Sequence, residues 1–472
     1  MRAEAERIFA GTGIQLTDVG PGLEHKNGQR QLGAAIGTKA FIEQYVTKKV
    51  TKWTQNIVAL ADIAKTQPHA AYAAYVYGER HRPSFVQRAM PNIGKLLEPL
   101  RDAVREKLAP ALLGRHLGDL HMQQMRLPAR EGGLSLDDSA DDAPRKHADS
   151  KECSQLVVNS VSRLPSSKNN RDAGIGKMVH ARNAKRLTKE ADEVQARLTE
   201  GSQRRAIEGA RMKGGSLVLT TMPIAEHGFH LSSKSDFHDF LKLHFGWPLP
   251  KLPATCPCGK SYSVDHAQMC KIGGFVGRRH DDLVDLLGRR MKQCYNDVEV
   301  EPLLQPLTGE QFKHKTANKE DGAKSDLRVR GFWTDAKNAF FDVRVFYSNA
   351  PSYQSKSVES HCKSVALTKK REYEERILHV EHGSFTPLIF PSSGGMGAEA
   401  TVVLKKLAAE IAIKRKEPYS SVVTVLRVEL AFSLARSMIR CVRGSRTLRR
   451  ATGWVKKELA PVDLVIAEAV MD

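Results

Sequence analysis

Cysteine, aromatic residues and long apolar runs are all scarce in this sequence. Seven cysteines in 472 residues, three of them within fifteen positions, are too few for a disulfide framework. Aromatic residues make up only 6% of the chain. No stretch approaches the roughly 20 apolar residues of a membrane-spanning helix, and the start lacks the apolar segment of a signal peptide. We therefore expect an intracellular protein in a reducing compartment, with no membrane partner.

Acidic residues are in deficit. The chain has 73 Lys and Arg against 53 Asp and Glu, which gives a formal net charge of +20. A surplus of this size favours a polyanionic partner, and without a membrane segment that partner is expected to be a nucleic acid. Binding to DNA or RNA should weaken steeply with salt, because neutralising phosphates releases counterions.

The N-terminal third has the pattern of a helical domain. From Lys39 to Tyr77 apolar residues recur at three- and four-residue steps, with one proline interruption, and another helix is predicted over Ile93–Leu113. The acidic stretch 137–149 is polar and is predicted to be a solvated loop. Its Asp137-Asp138 pair lacks the flanking apolar strands of a polymerase palm hairpin.

Helical and extended patterns along the sequence divide the chain into five segments and together predict an α+β fold. The mixed charges after residue 177 are typical of an exposed linker helix, with a dedicated nucleic-acid contact as the alternative. The predicted segments are a helical domain at 1–135, a basic linker with an exposed helix at 136–215, a compact segment with a cysteine cluster at 216–285, an α/β core with terminal helices at 286–450 and a C-terminal tail at 451–472.

A cluster of cysteine and histidine opens the segment on which the rest of the chain depends. The sequence CPCGKSYSVDHAQMC carries four side chains suited to tetrahedral Zn²⁺, namely Cys256, Cys258, His266 and Cys270. Four protein ligands leave no open position, which predicts a structural site; unmetallated thiols with a capping histidine are the alternative. The following Arg278, Arg279 and His280 would be oriented by this knuckle and are predicted to bind nucleic acid.

Three acidic positions on extended segments indicate a second metal site. Asp326 begins one extended run, and Asp342 lies between large apolar residues in FFDVRVF. A carboxylate in so apolar a strand is costly unless it binds a metal or a cation. Glu301 or its neighbour Glu299 could supply a third acid, and hard oxygen ligands suit Mg²⁺. The alternative is a structural ion pair between Asp342 and one of three arginines, Arg328, Arg330 or Arg344.

The segment from Leu252 to Arg344 resembles the C-terminal end of non-LTR retrotransposon proteins that carry a restriction-like endonuclease. In that family a Cys/Cys/His/Cys knuckle and a basic RHN-like signature precede a PD-(D/E)xK-type nuclease. Similar stretches, including LPAREGGL, MPIAEHGF and FFDVRVFYSNAP, extend the resemblance from about residue 10 to residue 450. The resemblance implies that the 1–135 domain is a reverse-transcriptase thumb and that 286–450 is the nuclease core. No F/Y-x-D-D motif is present, so this chain alone is not expected to polymerise.

The resemblance also implies roles for individual residues. Asp326 and Asp342, with Glu301 nearby, would hold catalytic Mg²⁺. Arg344 occupies the usual lysine position, so the lysine would come from the following helix as Lys369, in a K-x-x-x-Y pattern, with Lys363 and Lys370 as alternatives.

The product implied by the resemblance is a DNA nick that primes reverse transcription, with DNA and retroelement RNA as partners and the nucleus as the location. The alternative is a catalytically inactive, zinc-stabilised DNA- or RNA-binding module, which Arg344 favours.

Overall fold

The computed structural model describes residues 28–161, 172–231, 233–353 and 355–446, together with Arg7. The predicted C-terminal tail, 451–472, lies outside the described residues, as do positions 162–171 of the predicted linker. The described residues form a mixed α+β structure with two small sheets, which confirms the predicted fold class in its coarse form. Within this part of the chain, no helix has the length and apolarity needed to cross a bilayer.

Helices dominate the chain. In order they are α1 (Lys39–Ala64), α2 (Pro68–Tyr77), α3 (Ser84–Ala89), α4 (Glu98–Ala103), α5 (Ala109–Leu113), α6 (Asp119–Arg126), α7 (Ser139–Val161), α8 (Asp172–Arg197), α9 (Gly201–Arg211), α10 (Lys234–His244), α11 (Val264–Met269), α12 (Phe275–Met291), α13 (Val358–His379), α14 (Ala398–Arg415) and α15 (Tyr419–Arg443). The strands are β1 (Gly28–Gln31), β2 (Ala34–Gly37), β3 (Val298–Val300), β4 (Leu327–Arg330), β5 (Asn338–Phe346) and β6 (Ser384–Pro391).

The chain forms two compact units, and the first is largely helical. It comprises the described parts of Met1–Ala61, Ala74–Ala109 and Asp137–Asn183. The predicted apolar stripe of α1 is confirmed in its central part, where four members at helical spacing are buried, whereas the predicted member Ile63 near the end of the helix is exposed. The four buried members are Val46, Val50, Trp53 and Ile57.

The predicted loop at 137–149 is wrong, because α7 begins at Ser139. Asp138 explains the start: its Oδ1 accepts hydrogen bonds from Ala140 N at 3.2 Å and Asp141 N at 3.0 Å, which satisfies two free amides of the first turn. Acidic residues in that turn also interact favourably with the helix dipole. The acidic residues that suggested a solvated loop therefore belong to the N-terminus of a helix.

The second unit comprises the described parts of Asp62–Ala73, Pro110–Leu136 and Ala184–Asp472, and it contains a four-stranded sheet in the order β3-β4-β5-β6. The β3, β4 and β5 pairings are antiparallel, whereas β5 and β6 run parallel. A parallel pair needs a crossover, and α13 supplies it.

The two faces of this sheet are covered by different helices. Phe341, Val343 and Val345 point to one face and pack in a core with α12, α14 and α15. The alternating residues Phe340 and Phe346 point to the other face, where they pack against α13. Asp342 shares the parity of the second set and therefore faces α13.

Candidate functional site: a cysteine knuckle and a buried acid cluster

The cysteine cluster is held by a tight turn followed by the short helix α11. Cys256 N donates to Lys260 O at 2.9 Å, and Gly259 N donates to Cys256 O at 2.8 Å. Gly259 has a φ of +86°, a conformation that glycine adopts without strain, and this closes the turn within the short C-x-C spacing. Ser263 caps α11 by accepting a hydrogen bond from His266 N at 3.0 Å.

The four predicted ligands are brought together. Their ligand atoms all lie within 4.8 Å of one another, with 3.8 Å between the Sγ atoms of Cys256 and Cys270. The edge of a tetrahedron with metal–sulfur bonds of about 2.3 Å is also about 3.8 Å. A hydrogen bond from the Lys260 amide lowers the pKa of the Cys258 thiol, which favours the thiolate that metals bind. The cluster could hold a metal ion and is compatible with zinc.

Buried hydrogen bonds attach this knuckle to the sheet and to the long helices of the second unit. Tyr347, which directly follows β5, donates to Asp265 Oδ1 at 2.6 Å. Gln268 is fully buried, donates to Met438 O in α15 at 2.9 Å and accepts from Arg279 Nη1 at 2.9 Å. The knuckle thereby fixes the N-terminal half of α12.

Arg278, Arg279 and His280 have three different environments in α12. Arg278 is partly buried, whereas Arg279 is 3% exposed and its guanidinium donates a hydrogen bond to Gln268. Its buried position argues against the predicted nucleic-acid contact, because such a contact would require breaking these hydrogen bonds. His280 points to the acid cluster, with Nε2 3.1 Å from Asp326 Oδ2.

Asp326 and Asp342 meet at the sheet, and cations flank them. Lys369 Nζ lies 3.2 Å from Asp342 Oδ1, and Asp326 Oδ2 accepts from Val343 N at 2.5 Å and contacts His280. Asp342 is 6% exposed, and its Oδ2 is buried without a hydrogen-bond partner. A buried carboxylate oxygen without a hydrogen-bond partner is costly, so this one calls for an explanation.

The electrostatics of this cluster are strongly perturbed. Burial raises the pKa of Asp342 to about 6, against the opposing charge of Lys369 and with help from Asp326. Burial alone would lower the pKa of His280, but the hydrogen bond and charge of Asp326 outweigh it and raise the pKa to about 9. Burial would also lower the pKa of Lys369, and the charges of Asp342 and Glu372 reverse this and raise it. Two cations therefore face two carboxyl groups near neutral pH.

The backbone of Glu301 is next to Asp326, since Glu301 N donates to Asp326 O at 2.9 Å, but its side chain is not brought into this cluster. The strand ends at Val300, and Glu301 adopts a φ of +53°, which takes its side chain out of the strand alternation assumed for Glu299 and Glu301. Its carboxylate lies 3.7 Å from Lys324 Nζ. Among the described residues, the cysteine knuckle is the only group of three or more acidic, His or Cys side chains close enough to share one ion.

The predicted arginine partners of Asp342 are wrong, because its observed partner is Lys369. Arg328 instead pairs with Asp297 at 3.1 Å and with Glu299 at 2.9 Å. Arg330 and Arg344 are exposed.

Among the three candidate lysines, Lys369 is the one that reaches the acid pair. Lys363 is paired with Glu359, and Lys370 with Glu399.

Sequence reasoning missed the contact between His280 and Asp326 and the position of Glu372. Glu372 Oε2 lies 3.2 Å from Lys369 Nζ and so orients the lysine from one helical turn away. The i,i+3 spacing of Lys369 and Glu372 was a readable signal. The pairing of His280 with Asp326, 46 residues apart, depends on how α12 packs against the sheet.

Comparison with known proteins leaves the site as the basis for assigning a function. No model of a known protein family matches the sequence, and a search of curated proteins found no match.

Proposed function

We propose that this protein is a metal-dependent DNA-nicking endonuclease of the restriction-like type, derived from a non-LTR retrotransposon protein. The observation that carries the proposal is the convergence of Asp326 just before β4, Asp342 in β5 and Lys369 in α13 into one buried, charged site. A buried carboxyl group with a raised pKa, as at Asp342, beside a positioned lysine is typical of catalytic centres. The proposal includes the finer fold expectation, a zinc knuckle ahead of a PD-(D/E)xK-like core.

Asp326 and Asp342 would hold Mg²⁺, and the unpartnered Oδ2 of Asp342 supports this fit. When bound, Mg²⁺ would polarise the scissile phosphate and lower the pKa of a nearby water. Val343 N and His280 fix the orientation of the Asp326 carboxylate.

Lys369 would act on the attacking water. Its Nζ lies between Asp342 and Glu372, at 3.2 Å from each carboxylate. In this position the ammonium group can orient a water molecule and balance negative charge that develops on the phosphate. His280 would add a second positive charge, next to Asp326.

The proposed partners are DNA and retroelement RNA, and the proposed location is the nucleus. The net charge of +20 supports a polyanionic partner. A nick that leaves a free 3′-OH would serve as a primer for a reverse transcriptase.

The experiment is a comparison of nicked ends. Supercoiled plasmid is incubated with the protein and Mg²⁺, and a polymerase with labelled nucleotides is added afterwards. The wild type should create ends that the polymerase extends, and Asp342→Asn should not. Asp335→Asn, which removes an exposed carboxylate from the β4–β5 connection, is the matched control and should behave as wild type. Nicks that cannot be extended would contradict the priming role.

A catalytically silent nucleic-acid-binding module is the second candidate. Arg344 favours it, because an arginine stands where the resemblance places a lysine, and the ion pair between Lys369 and Asp342 could serve stability alone. This candidate predicts salt-sensitive DNA binding without any Mg²⁺-dependent nicking.

A further inference from the structure

The connection between β3 and β4 is long. Its two ends are hydrogen-bonded to each other and so continue the antiparallel β3–β4 pair. Leu304 N donates to Ala323 O at 2.9 Å, and Ser325 N donates to Pro302 O at 3.2 Å. Leu304 and Ala323 are buried in a cluster that includes side chains of α13. The remainder of the connection, residues 305–322, is termed the clamped loop.

Arg376 of α13 holds the clamped loop in place. This arginine is fully buried, and its guanidinium donates to three carbonyl oxygens of the loop: Asn318 at 3.1 Å, Glu320 at 2.9 Å and Gln305 at 2.9 Å. A buried cation is costly unless it is well hydrogen-bonded, and all of these acceptors belong to the loop. Arg376 therefore stabilises one conformation of the clamped loop.

The clamped loop lies beside the acid cluster. Asn318 N donates to Glu372 O at 2.8 Å, and Asn318 Nδ2 donates to Tyr373 Oη at 3.4 Å. These two residues also contact Lys369, whose Nζ lies 3.2 Å from Glu372 Oε2 and 5.0 Å from the centre of the Tyr373 ring. One layer of side chains therefore separates the loop from Lys369.

Three lysines of the clamped loop carry exposed charge. Lys313, Lys315 and Lys319 are exposed, and within the described part of the chain none of them has an ion-pair partner. The stretch 311–319 contains no acidic residue, whereas Glu310, Glu320 and Asp321 flank it within the clamped loop, so the positive charge is local to this stretch. Three like charges within seven positions repel one another, and a loop held in one conformation cannot easily spread them apart. An anion with repeated charges would relieve this repulsion.

We propose that the clamped loop is a docking surface for the phosphate backbone of duplex DNA. Lys313, Lys315 and Lys319 contact phosphates next to the strand that enters the Asp326–Asp342 site. The choice of DNA rests on the proposed nuclease function, because RNA offers the same phosphodiester chemistry. Because the backbone of the loop is already held in one conformation, binding has a small entropic cost, and less of the favourable electrostatic free energy is offset.

Binding of labelled duplex DNA as a function of salt tests this proposal. Affinity is measured in EDTA between about 50 and 200 mM salt, a range over which phosphate contacts change binding strongly. The test variant combines Lys313→Ala, Lys315→Ala and Lys319→Ala. Each lost phosphate contact should reduce the slope of log affinity against log salt by about 0.9, so three should reduce it by roughly 2.7.

The matched control removes the same charge from the helices on the other face of the sheet. It combines Lys292→Ala at the end of α12 with Lys405→Ala and Lys414→Ala in α14, all of which are exposed. The control should keep the wild-type slope. Equal slopes for the two triple variants, no measurable DNA binding by the wild type, or a loss of affinity confined to single-stranded RNA would each overturn the proposal.

The outcome is separable from the proposed catalysis, because binding in EDTA does not require nicking. A wild type that never nicks but has a loop-dependent salt slope contradicts the nuclease and supports the docking surface. If the wild type nicks DNA while both triple variants show the same salt slope, the nuclease proposal is supported and the docking surface is contradicted.

Discussion

Asp342→Asn gives the most quantitative test of the site, because Asp342 is buried and only partly hydrogen-bonded. Burial raises its pKa to about 6 from an ordinary value of 3.8, despite the charge of Lys369. The folded protein therefore binds this proton more tightly than the unfolded chain does. The resulting stability is fully present below pH 3.8 and is lost as the pH rises through about 6.

The magnitude follows from the two pKa values. The difference between about 6 and 3.8, at about 1.4 kcal/mol for each pH unit, corresponds to about 3 kcal/mol. Asparagine cannot ionise, so the free energy of unfolding of the variant does not decrease in this way as the pH rises. Relative to the wild type, Asp342→Asn should gain about 3 kcal/mol in free energy of unfolding between pH 4 and pH 7. His280 loses its stabilisation as the pH rises from 6.5 through about 9, largely above this window.

The assay is urea denaturation in EDTA at several pH values between 4 and 7, with Asp335→Asn as the exposed control. A structural ion pair predicts the opposite sign, because removing one partner of a buried pair costs about 3–5 kcal/mol. If Asp342→Asn is several kcal/mol less stable than the wild type at pH 7, or if the difference does not change with pH, the reasoning is refuted.

Three further predictions concern the knuckle, the clamped loop and the lysine. Elemental analysis should find one zinc per chain, and Cys258→Ser or a chelator should lower the melting temperature, since metal binding contributes folding free energy; an unchanged melt argues against the site. Arg376→Met should cost at least about 2 kcal/mol and speed hydrogen exchange in the clamped loop, whereas exposed Arg371→Met should do neither. Lys369→Met should lose more stability at pH 8 than at pH 5, because Asp342 is ionised at pH 8 and then lacks its cationic partner. Equal losses at the two pH values in denaturation experiments would contradict the pairing.

Local patterns predicted much of the fold. The apolar residues around Asp342 predicted the buried strand β5, and helical spacing predicted α1 and its buried stripe. Ligand type and close spacing were enough to bring Cys256, Cys258, His266 and Cys270 together. In each case the information lies within a short window, so packing elsewhere had little influence.

Contacts between distant segments could not be predicted in this way. Arg376 reads as one more charge on a polar helix, yet it is fully buried because the β3–β4 connection folds over it. Arg279 was predicted to bind nucleic acid, yet it is buried and hydrogen-bonded to Gln268 of the knuckle. The prediction of Glu301 as a third acid failed because the strand ends one residue earlier and Glu301 adopts a positive φ. Such outcomes are set by tertiary packing, which overrides local patterns of charge and hydrophobicity.

The rate of plasmid nicking decides whether the Asp326–Asp342 site is a nuclease centre. Wild type, Asp342→Asn and Asp335→Asn are compared at equal concentration with Mg²⁺ and with EDTA. We expect the wild type and Asp335→Asn to nick supercoiled DNA only with Mg²⁺. We expect Asp342→Asn to be slower by at least about 100-fold, because metal-ion stabilisation is worth several kcal/mol. A folded, zinc-loaded wild type that never nicks, or an Asp342→Asn variant that nicks at the wild-type rate, would contradict the proposed nuclease function.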